Sequence, residues 1–327
     1  MTHVTGPGGA KGAARLVVAG ILEAMASSLT GDPLGAVLNP RQQASFRLVA
    51  GVGDAPLEVN VTGWNKLVVL DAKRAFLFPR QANNLEWFER ELSVYRAFGG
   101  TALTVVPRLV NRWQDESVYP FPFAAVTRLA GTHPADGGEL LGALGGAMAE
   151  WHGMEPPALE GARPPAHHER PDLRWLRRAL DPATSSDAVA EAADRLGRSE
   201  RRAEWTDRLA VACSHPPVFV HGDIHEDQLL AVGDQLTGVL DWETARIDHP
   251  FWDFDFGEWG TGLWRAHRSD FSRLWRVAWS SYATARGLGA DSAPLETAFR
   301  LRHALALLDS DGDTTVSGTI AEHLAAI

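Results

Sequence analysis

The chain has 327 residues, 45% of them hydrophobic, which predicts two lobes or domains with a sizeable buried core. Its formal net charge of -10 at pH 7 argues against a nucleic-acid partner, because proteins that bind a phosphate backbone usually present clustered Lys and Arg. The single cysteine, Cys213, excludes an intrachain disulfide, and no secretory signal is recognisable at the amino end, so we expect a cytoplasmic protein.

The first predicted element is an amphipathic helix within residues 13–29. This run is rich in apolar residues, but Arg15 and Glu23 interrupt it. It is also shorter than the roughly 20 apolar residues that a membrane span needs. We therefore expect no membrane partner.

Short apolar runs follow between residues 44 and 79. Residues 46–49, 66–70 and 75–78 are mostly apolar, and Gly, Asp and Asn residues typical of turns separate them. This alternation of short runs and turns predicts an antiparallel sheet.

A helix is predicted next, over residues 84–98, where apolar residues recur three or four positions apart after an Asn that can cap the helix. Two further strand-like runs, 103–110 and 121–129, lead into a connection rich in Gly, Pro and Asp. We place the boundary between the lobes at this connection. The amino-terminal lobe then covers residues 1–127 and the carboxy-terminal lobe residues 128–327.

Most of the second lobe is predicted to be helical. The helices cover residues 138–152, 173–180, 188–212, 269–286 and 294–308. Two short strand-like runs, 217–220 and 236–240, interrupt them and flank the densest polar cluster in the chain. The chemistry is therefore expected between and just after these two strands.

The polar cluster carries two carboxylates behind apolar strands. Residues 221–230 read His-Gly-Asp-Ile-His-Glu-Asp-Gln-Leu-Leu, and residues 240–243 read Leu-Asp-Trp-Glu. Phosphoryl transfer needs a group that orients and deprotonates the attacking hydroxyl, and ligands for Mg²⁺ bound to the nucleotide phosphates. Asp223 and Asp241 suit these two tasks, although turn or capping carboxylates are the alternative interpretation.

These motifs resemble the catalytic loop and the metal-binding segment of aminoglycoside and macrolide phosphotransferases. The resemblance implies an α+β fold with two lobes like those of protein kinases: a small antiparallel sheet and a larger, mainly helical lobe. It implies ATP or GTP as phosphoryl donor and Mg²⁺ as cofactor. By the same resemblance, Asp223 is the catalytic aspartate, and Asp241 and Gln228 are the metal ligands.

The resemblance extends over roughly residues 60–260. Residues 248–253 are similar to a Pro-x-x-Asp segment of the family, which makes Asp253 structural, and Trp151-His152 is similar to the end of the helix that precedes the catalytic loop. His221 is interpreted as a structural imidazole.

In the amino-terminal half, the resemblance implies a nucleotide site. Gly63-Trp64-Asn65 resembles the turn that covers the phosphates, and Glu91 resembles the glutamate of the helix. Thr127 and Leu129 fall in the hinge between the lobes. The alternative interpretations are an ordinary hairpin glycine for Gly63 and an exposed helix charge for Glu91.

Two positions depart from the family pattern. Gln228 stands where the family usually has Asn; it keeps a carbonyl oxygen for a hard cation but is one methylene longer. Leu77 stands where a basic residue is expected to hold the nucleotide phosphates, and we take Arg80 as its substitute. The two departures motivate an alternative function, a nucleotide-binding pseudokinase with little or no turnover.

The acceptor is predicted to be a small molecule with a hydroxyl group. Asp255, Glu258 and Trp259 lie in a segment rich in tryptophan, where core packing is the default interpretation and an acceptor pocket for a cationic, ring-bearing substrate is the alternative. A metal-dependent phosphoesterase is a further alternative because Gly-Asp-Ile-His also resembles its first motif, but the later Asn- and His-containing motifs are missing.

Overall fold

A computed structural model describes residues 33–134, 137–159, 171–255 and 271–309, together with residue 325. The helix predicted within residues 13–29 lies outside this part of the chain. None of the described helices combines the length and the apolar character that a membrane crossing requires.

The chain divides into two compact units. One comprises residues 1–81 and 112–125, and the other comprises residues 82–111 and 126–327. The lobe boundary that we expect after residue 127 stays a prediction.

A five-stranded sheet with the order β1-β2-β3-β5-β4 provides the scaffold of the first unit. Its strands are β1 (Glu58–Asn60), β2 (Lys66–Leu70), β3 (Arg74–Pro79), β4 (Leu109–Trp113) and β5 (Phe123–Thr127). Strand β2 pairs antiparallel with both β1 and β3, and its Val68 lies opposite Leu77. The predicted antiparallel sheet is confirmed, with strands that are shorter than the apolar runs.

The strand predicted over residues 46–49 is wrong, because these residues end helix α1 (Pro40–Val49). The helix begins with a capping box: the Asn39 side chain accepts hydrogen bonds from the backbone amides of Arg41 (3.1 Å) and Gln42 (3.0 Å). The Gln42 side chain accepts one from the Asn39 amide (3.0 Å). A short run of mostly apolar residues fits a helix as well as a strand. Here the capping box at Asn39 stabilises the helix.

Helix α1 packs on the sheet through aromatic rings. The ring of Phe46 lies 5.0 Å from Phe76, 5.6 Å from Phe78 and 6.1 Å from Phe123, in edge-to-face geometry. All four rings are fully buried. This aromatic cluster is the core of the first unit, and it holds β3 and β5 in place.

Helices make up most of the second unit. They are α2 (Leu85–Phe98), α3 (Leu141–His152), α4 (Pro171–Ala179), α5 (Ser185–Arg195), α6 (Arg202–Cys213), α7 (Phe271–Arg286) and α8 (Ala293–Asp309). The single helix predicted over residues 188–212 is wrong, because α5 ends before Gly197, whose φ is 61°. The amide of Arg198 then donates to the Ala193 carbonyl (2.8 Å), which closes the helix end.

Two antiparallel two-stranded sheets within the second unit carry the polar motifs. Strand β6 (Val218–Val220) pairs with β9 (Arg246–Asp248), and β7 (Leu229–Val232) pairs with β8 (Gln235–Val239). The loop 221–228 therefore leaves β6, and the segment 240–245 leads from β8 into β9. Both polar motifs meet at these strand ends.

Candidate active site

Asp223 lies in the loop that follows strand β6, and Asp253 holds this loop through its backbone. The Oδ1 of Asp253 accepts a hydrogen bond from the Gly222 amide (2.7 Å), and its Oδ2 accepts one from the His221 amide (3.0 Å). Asp253 is fully buried. The two residues before Asp223 are thus fixed by one buried carboxylate.

Two side chains of helix α3 complete the environment of Asp253. Its Oδ2 also accepts hydrogen bonds from the Trp151 indole Nε1 (2.9 Å) and the His152 Nε2 (3.0 Å). Burial pushes the pKa of Asp253 up, but the hydrogen bond and the charge of His152, with the other donors, outweigh it and hold the pKa below its ordinary value. The carboxylate form is therefore the stable one in this network.

His221 is a neutral imidazole that joins the two motifs. Its Nε2 donates to the Leu240 carbonyl (2.8 Å), and its Nδ1 accepts from the Asp223 amide (3.3 Å), which fixes the tautomer with the proton on Nε2. Burial lowers the pKa of His221 although Asp253, Asp223 and Asp241 are near it and act in the opposite direction. This agrees with the structural role expected from the sequence.

Asp241 has an unusual backbone conformation. Among the described residues other than glycine it alone has a positive φ, 67°, in the left-handed region. Such conformations cost free energy in an L-residue and tend to occur where the surrounding structure needs them. The turn 242–244 follows directly, and Trp242 packs against Phe98 of helix α2 with ring centroids 5.1 Å apart.

Helix α2 brings Glu91 to this turn. Carboxylate oxygens of Glu91, Asp241 and Glu243 all lie within 4.8 Å of one another. Glu91 and Glu243 are buried, and the Tyr95 hydroxyl donates to Glu91 (2.6 Å). The structure thus joins Glu91 to Asp241, as the predicted site requires, and adds Glu243.

Gln228 is the last residue of the loop 221–228 and contacts both Asp223 and the segment that contains Asp241. Its Nε2 is 3.4 Å from the Oδ2 of Asp223, and its backbone carbonyl accepts from the Leu240 amide (2.8 Å). Its Oε1 is buried and has no hydrogen-bond partner among the described residues. An orphaned carbonyl oxygen beside carboxylates is a donor set that suits a hard cation such as Mg²⁺, so these residues fit the metal that the family resemblance implies.

The predicted phosphate-covering turn lies in the first unit, where Arg80 binds it. The Arg80 guanidinium donates to the carbonyls of Gly63 (2.7 Å) and Val61, and its amide donates to the Asn65 carbonyl (2.9 Å). Trp64 is 87% exposed at the tip. The structure therefore brings Gly63, Asn65 and Arg80 together. The Arg80 guanidinium is hydrogen-bonded to backbone carbonyls of this turn.

The predicted hinge residues lie at the end of strand β5. The Thr127 amide donates to the Arg108 carbonyl (2.9 Å), and its hydroxyl accepts from the Arg108 amide (2.9 Å). Leu129 lies close to Gly238, since a Cβ added there would be 3.1 Å from the Leu129 Cδ1. Their contact with a nucleotide stays a prediction.

The predicted acceptor residues are only partly described. Asp255 forms a salt bridge with Arg302 of helix α8, in which the Arg302 Nη1 lies 2.5 Å from the Asp255 Oδ1. Glu258 and Trp259 lie outside the described residues. The acceptor role of all three stays a prediction.

Sequence reasoning gave no role to Glu243 or Arg246. Glu243 belongs to the 240–243 motif itself, and its position two residues after Asp241 was the available signal. Arg246 carried no signal, because its contacts depend on the pairing of β6 with β9.

A small antiparallel sheet in one unit, a mainly helical second unit, and a loop with Asp223 beside a segment with Asp241 define a protein-kinase-like α+β fold. A sequence model described as the phosphotransferase enzyme family matches residues 57–295. This match covers well over half of the chain, so the protein belongs to the phosphotransferase enzyme family. The expected family and fold class are confirmed.

Two solved structures, both of aminoglycoside phosphotransferases, have the same fold. The GDP complex of aminoglycoside 2'-phosphotransferase-IIIa is 16% identical with a TM-score of 0.51, and the match covers 88% of this chain and 97% of that one. The ADP-bound aminoglycoside phosphotransferase APH(2'')-Ib is 15% identical with a TM-score of 0.50, over 88% and 97% of the two chains. The macrolide 2'-phosphotransferase MphH from Brachybacterium faecium is 19% identical with a TM-score of 0.49, over 86% and 98%. No curated protein matches the sequence.

Proposed function

We propose that the protein transfers the γ-phosphoryl group of ATP or GTP to a hydroxyl group of a small molecule in the cytoplasm, with Asp223 as the catalytic base. One observation carries the proposal: Asp223 follows two backbone amides that Asp253 holds at 2.7 and 3.0 Å. A base that acts on a hydroxyl must be held within hydrogen-bond reach of it, and a loop fixed in this way provides that placement.

Asp241 and Gln228 would hold Mg²⁺, with Glu91 and Glu243 close by. When bound, Mg²⁺ would supply positive charge to neutralise the nucleotide phosphates. Asp223 would accept a hydrogen bond from the acceptor hydroxyl and take its proton as the hydroxyl oxygen bonds to the γ-phosphorus. The bond from the γ-phosphorus to the bridging β-phosphate oxygen would break in the same step, and the nucleoside diphosphate would leave. Gln228 would orient the Asp223 carboxylate through its Nε2, which lies 3.4 Å from Oδ2.

In the first unit, the turn with Gly63, Trp64 and Asn65 would cover the nucleotide phosphates. Arg80 would act by holding this turn, because its guanidinium donates to the Gly63 and Val61 carbonyls. Thr127 and Leu129 would border the nucleotide base. Aminoglycosides and macrolides are the acceptor classes to test first, since the structures of similar fold carry these names.

A nucleotide-binding pseudokinase is the second candidate function. The observation that favours it is Leu77, which lies in strand β3 with 6% exposure where a basic residue is expected. A leucine cannot bind a phosphate, so the donor would lose one cationic contact.

Transfer of label from γ-³²P-labelled ATP or GTP, with Mg²⁺ and a panel of aminoglycosides, macrolides and amino alcohols, tests the proposal. We expect a phosphorylated product that requires both Mg²⁺ and the acceptor. Nucleotide binding without label transfer to any compound would favour the pseudokinase instead.

A further inference from the structure

Arg246 lies against the loop that carries Asp223. Strand β9 places Arg246 across from Val220, the last residue of β6. A Cβ added to Gly222 would lie 2.1 Å from the Nη1 of Arg246 and 3.1 Å from its Cζ. The guanidinium therefore packs directly on the backbone of the residue that precedes Asp223.

The Arg246 side chain is itself firmly held. Its Nε donates to the Oδ2 of Asp248 (2.7 Å), and its Nη1 donates to the Thr244 carbonyl (3.3 Å). The guanidinium carbon lies 5.2 Å from the ring centroid of Trp252. The Thr244 hydroxyl also donates to the His221 carbonyl (2.8 Å). Thr244 therefore connects Arg246 to the loop.

Gly222 is thus confined between two groups. Asp253 binds its amide at 2.7 Å, and Arg246 fills the space that any side chain at this position would need. Its φ of 85° is also one that L-residues rarely adopt. The positive φ and the position of Arg246 therefore both favour glycine at this point of the loop.

Placing Arg246 here costs free energy. Its side chain is 8% exposed, and its Nη2 is buried without a hydrogen-bond partner among the described residues. The charge of Arg246 also adds to burial in lowering the pKa of the nearby Arg90. An apolar side chain would avoid these costs, so a role other than stability accounts for the arginine better.

We propose that Arg246 is a positioning residue for phosphoryl transfer: through its contact with Gly222 it fixes the backbone from which Asp223 projects. The proposal rests on the function proposed above. It assigns Arg246 no contact with the nucleotide or the acceptor. Its loss is therefore expected to change the rate of the chemical step and to leave donor binding intact.

Arg246→Lys is the main test, because lysine can keep the ion pair with Asp248 but has no planar group to pack on Gly222. Arg177→Lys is the matched control. Arg177 also pairs with Asp248 (3.2 Å) and lies over Trp252 (5.7 Å), but it is half exposed. We expect kcat to fall about 10²-fold in Arg246→Lys, with KM for the nucleotide and the melting temperature close to those of the control.

Hydrogen exchange of the peptide that contains His221, Gly222 and Asp223 is the second readout, and it needs no acceptor. We expect exchange about tenfold faster in Arg246→Lys than in the wild type and in Arg177→Lys, with strand β6 unchanged. If the wild type transfers no phosphoryl group, this measurement still decides on the positioning role. Unchanged exchange in Arg246→Lys would overturn the proposal, as would a loss confined to KM.

Gly222→Ala gives an independent check should Arg246→Lys fold poorly. The added methyl group meets Arg246, so we expect faster loop exchange and a lower kcat in this variant as well. Because Gly222→Ala and Arg246→Lys disturb the same contact, their effects on loop exchange should be less than additive in the double variant. Fully additive effects of the two changes would contradict the contact on which the proposal depends.

Discussion

Replacement of Asp223 by Ala is expected to lower kcat by about 10²- to 10⁴-fold, the contribution of a positioned general base. Nucleotide affinity should change little, because the proposed metal ligands Asp241 and Gln228 remain. The fold should also persist, because the loop is held by Asp253, which accepts hydrogen bonds from the amides of His221 and Gly222. Steady-state phosphoryl transfer and a melting curve check these expectations.

Asp227→Ala is the control for this experiment. Asp227 is an exposed carboxylate four residues further along the same loop, so it tests whether loss of any negative charge there slows the reaction. We expect near wild-type turnover for this variant. Wild-type turnover in Asp223→Ala would refute the assignment of the base.

Asp253→Ala is expected to have the largest effect on stability, a loss of about 3–5 kcal/mol in the free energy of unfolding. The variant leaves four donors without this acceptor. Three are buried, namely the His221 amide, the Trp151 Nε1 and the His152 Nε2, and the Gly222 amide is partly buried. Urea unfolding at constant m-value measures the loss. Asp234→Ala, an exposed carboxylate in the turn between β7 and β8, is the control and should stay within about 0.5 kcal/mol of the wild type.

The free energy of unfolding is expected to decrease at low pH because of Asp253. Because the pKa of Asp253 is lower in the folded protein than its ordinary value of 3.8, its contribution is fully present above that value. The contribution is lost as the pH falls through the folded pKa. Below about pH 4 the wild type should therefore lose more stability per pH unit than Asp253→Asn does. Parallel curves would show that the Asp253 charge does not stabilise the fold.

Sequence reasoning was most successful where a motif follows a strand. An apolar run followed by His-Gly-Asp placed Asp223 in the loop after β6, and the next run placed Asp241 after β8. In both cases the informative residues are neighbours in the chain. The family resemblance added the protein-kinase-like fold, which the family match confirms.

Residues 46–49 and helix α1 show where local patterns are ambiguous. A run of four residues with three apolar ones fits a strand, but Asn39, Pro40 and Gln42 are a helix start signal upstream of it. This capping box predicts the helix. The deciding residues are therefore present in the sequence, before the apolar run.

The contacts of Glu91 and Arg246 could not be predicted from the sequence. Glu91 reaches Asp241 because helix α2 packs on the turn 242–244, about 150 residues away in the chain. Arg246 reaches Gly222 through the register of two three-residue strands. Such contacts depend on tertiary packing, and neither spacing nor composition encodes them.

Calorimetric titration of the protein with a non-hydrolysable ATP or GTP analogue, with and without Mg²⁺, tests the central claim most directly. We predict binding that requires Mg²⁺ and that Asp241→Ala abolishes, because Asp241 is the main metal ligand that we propose. Absence of binding for both nucleotides in the presence of Mg²⁺, or equal binding by the wild type and Asp241→Ala, would contradict the proposed site.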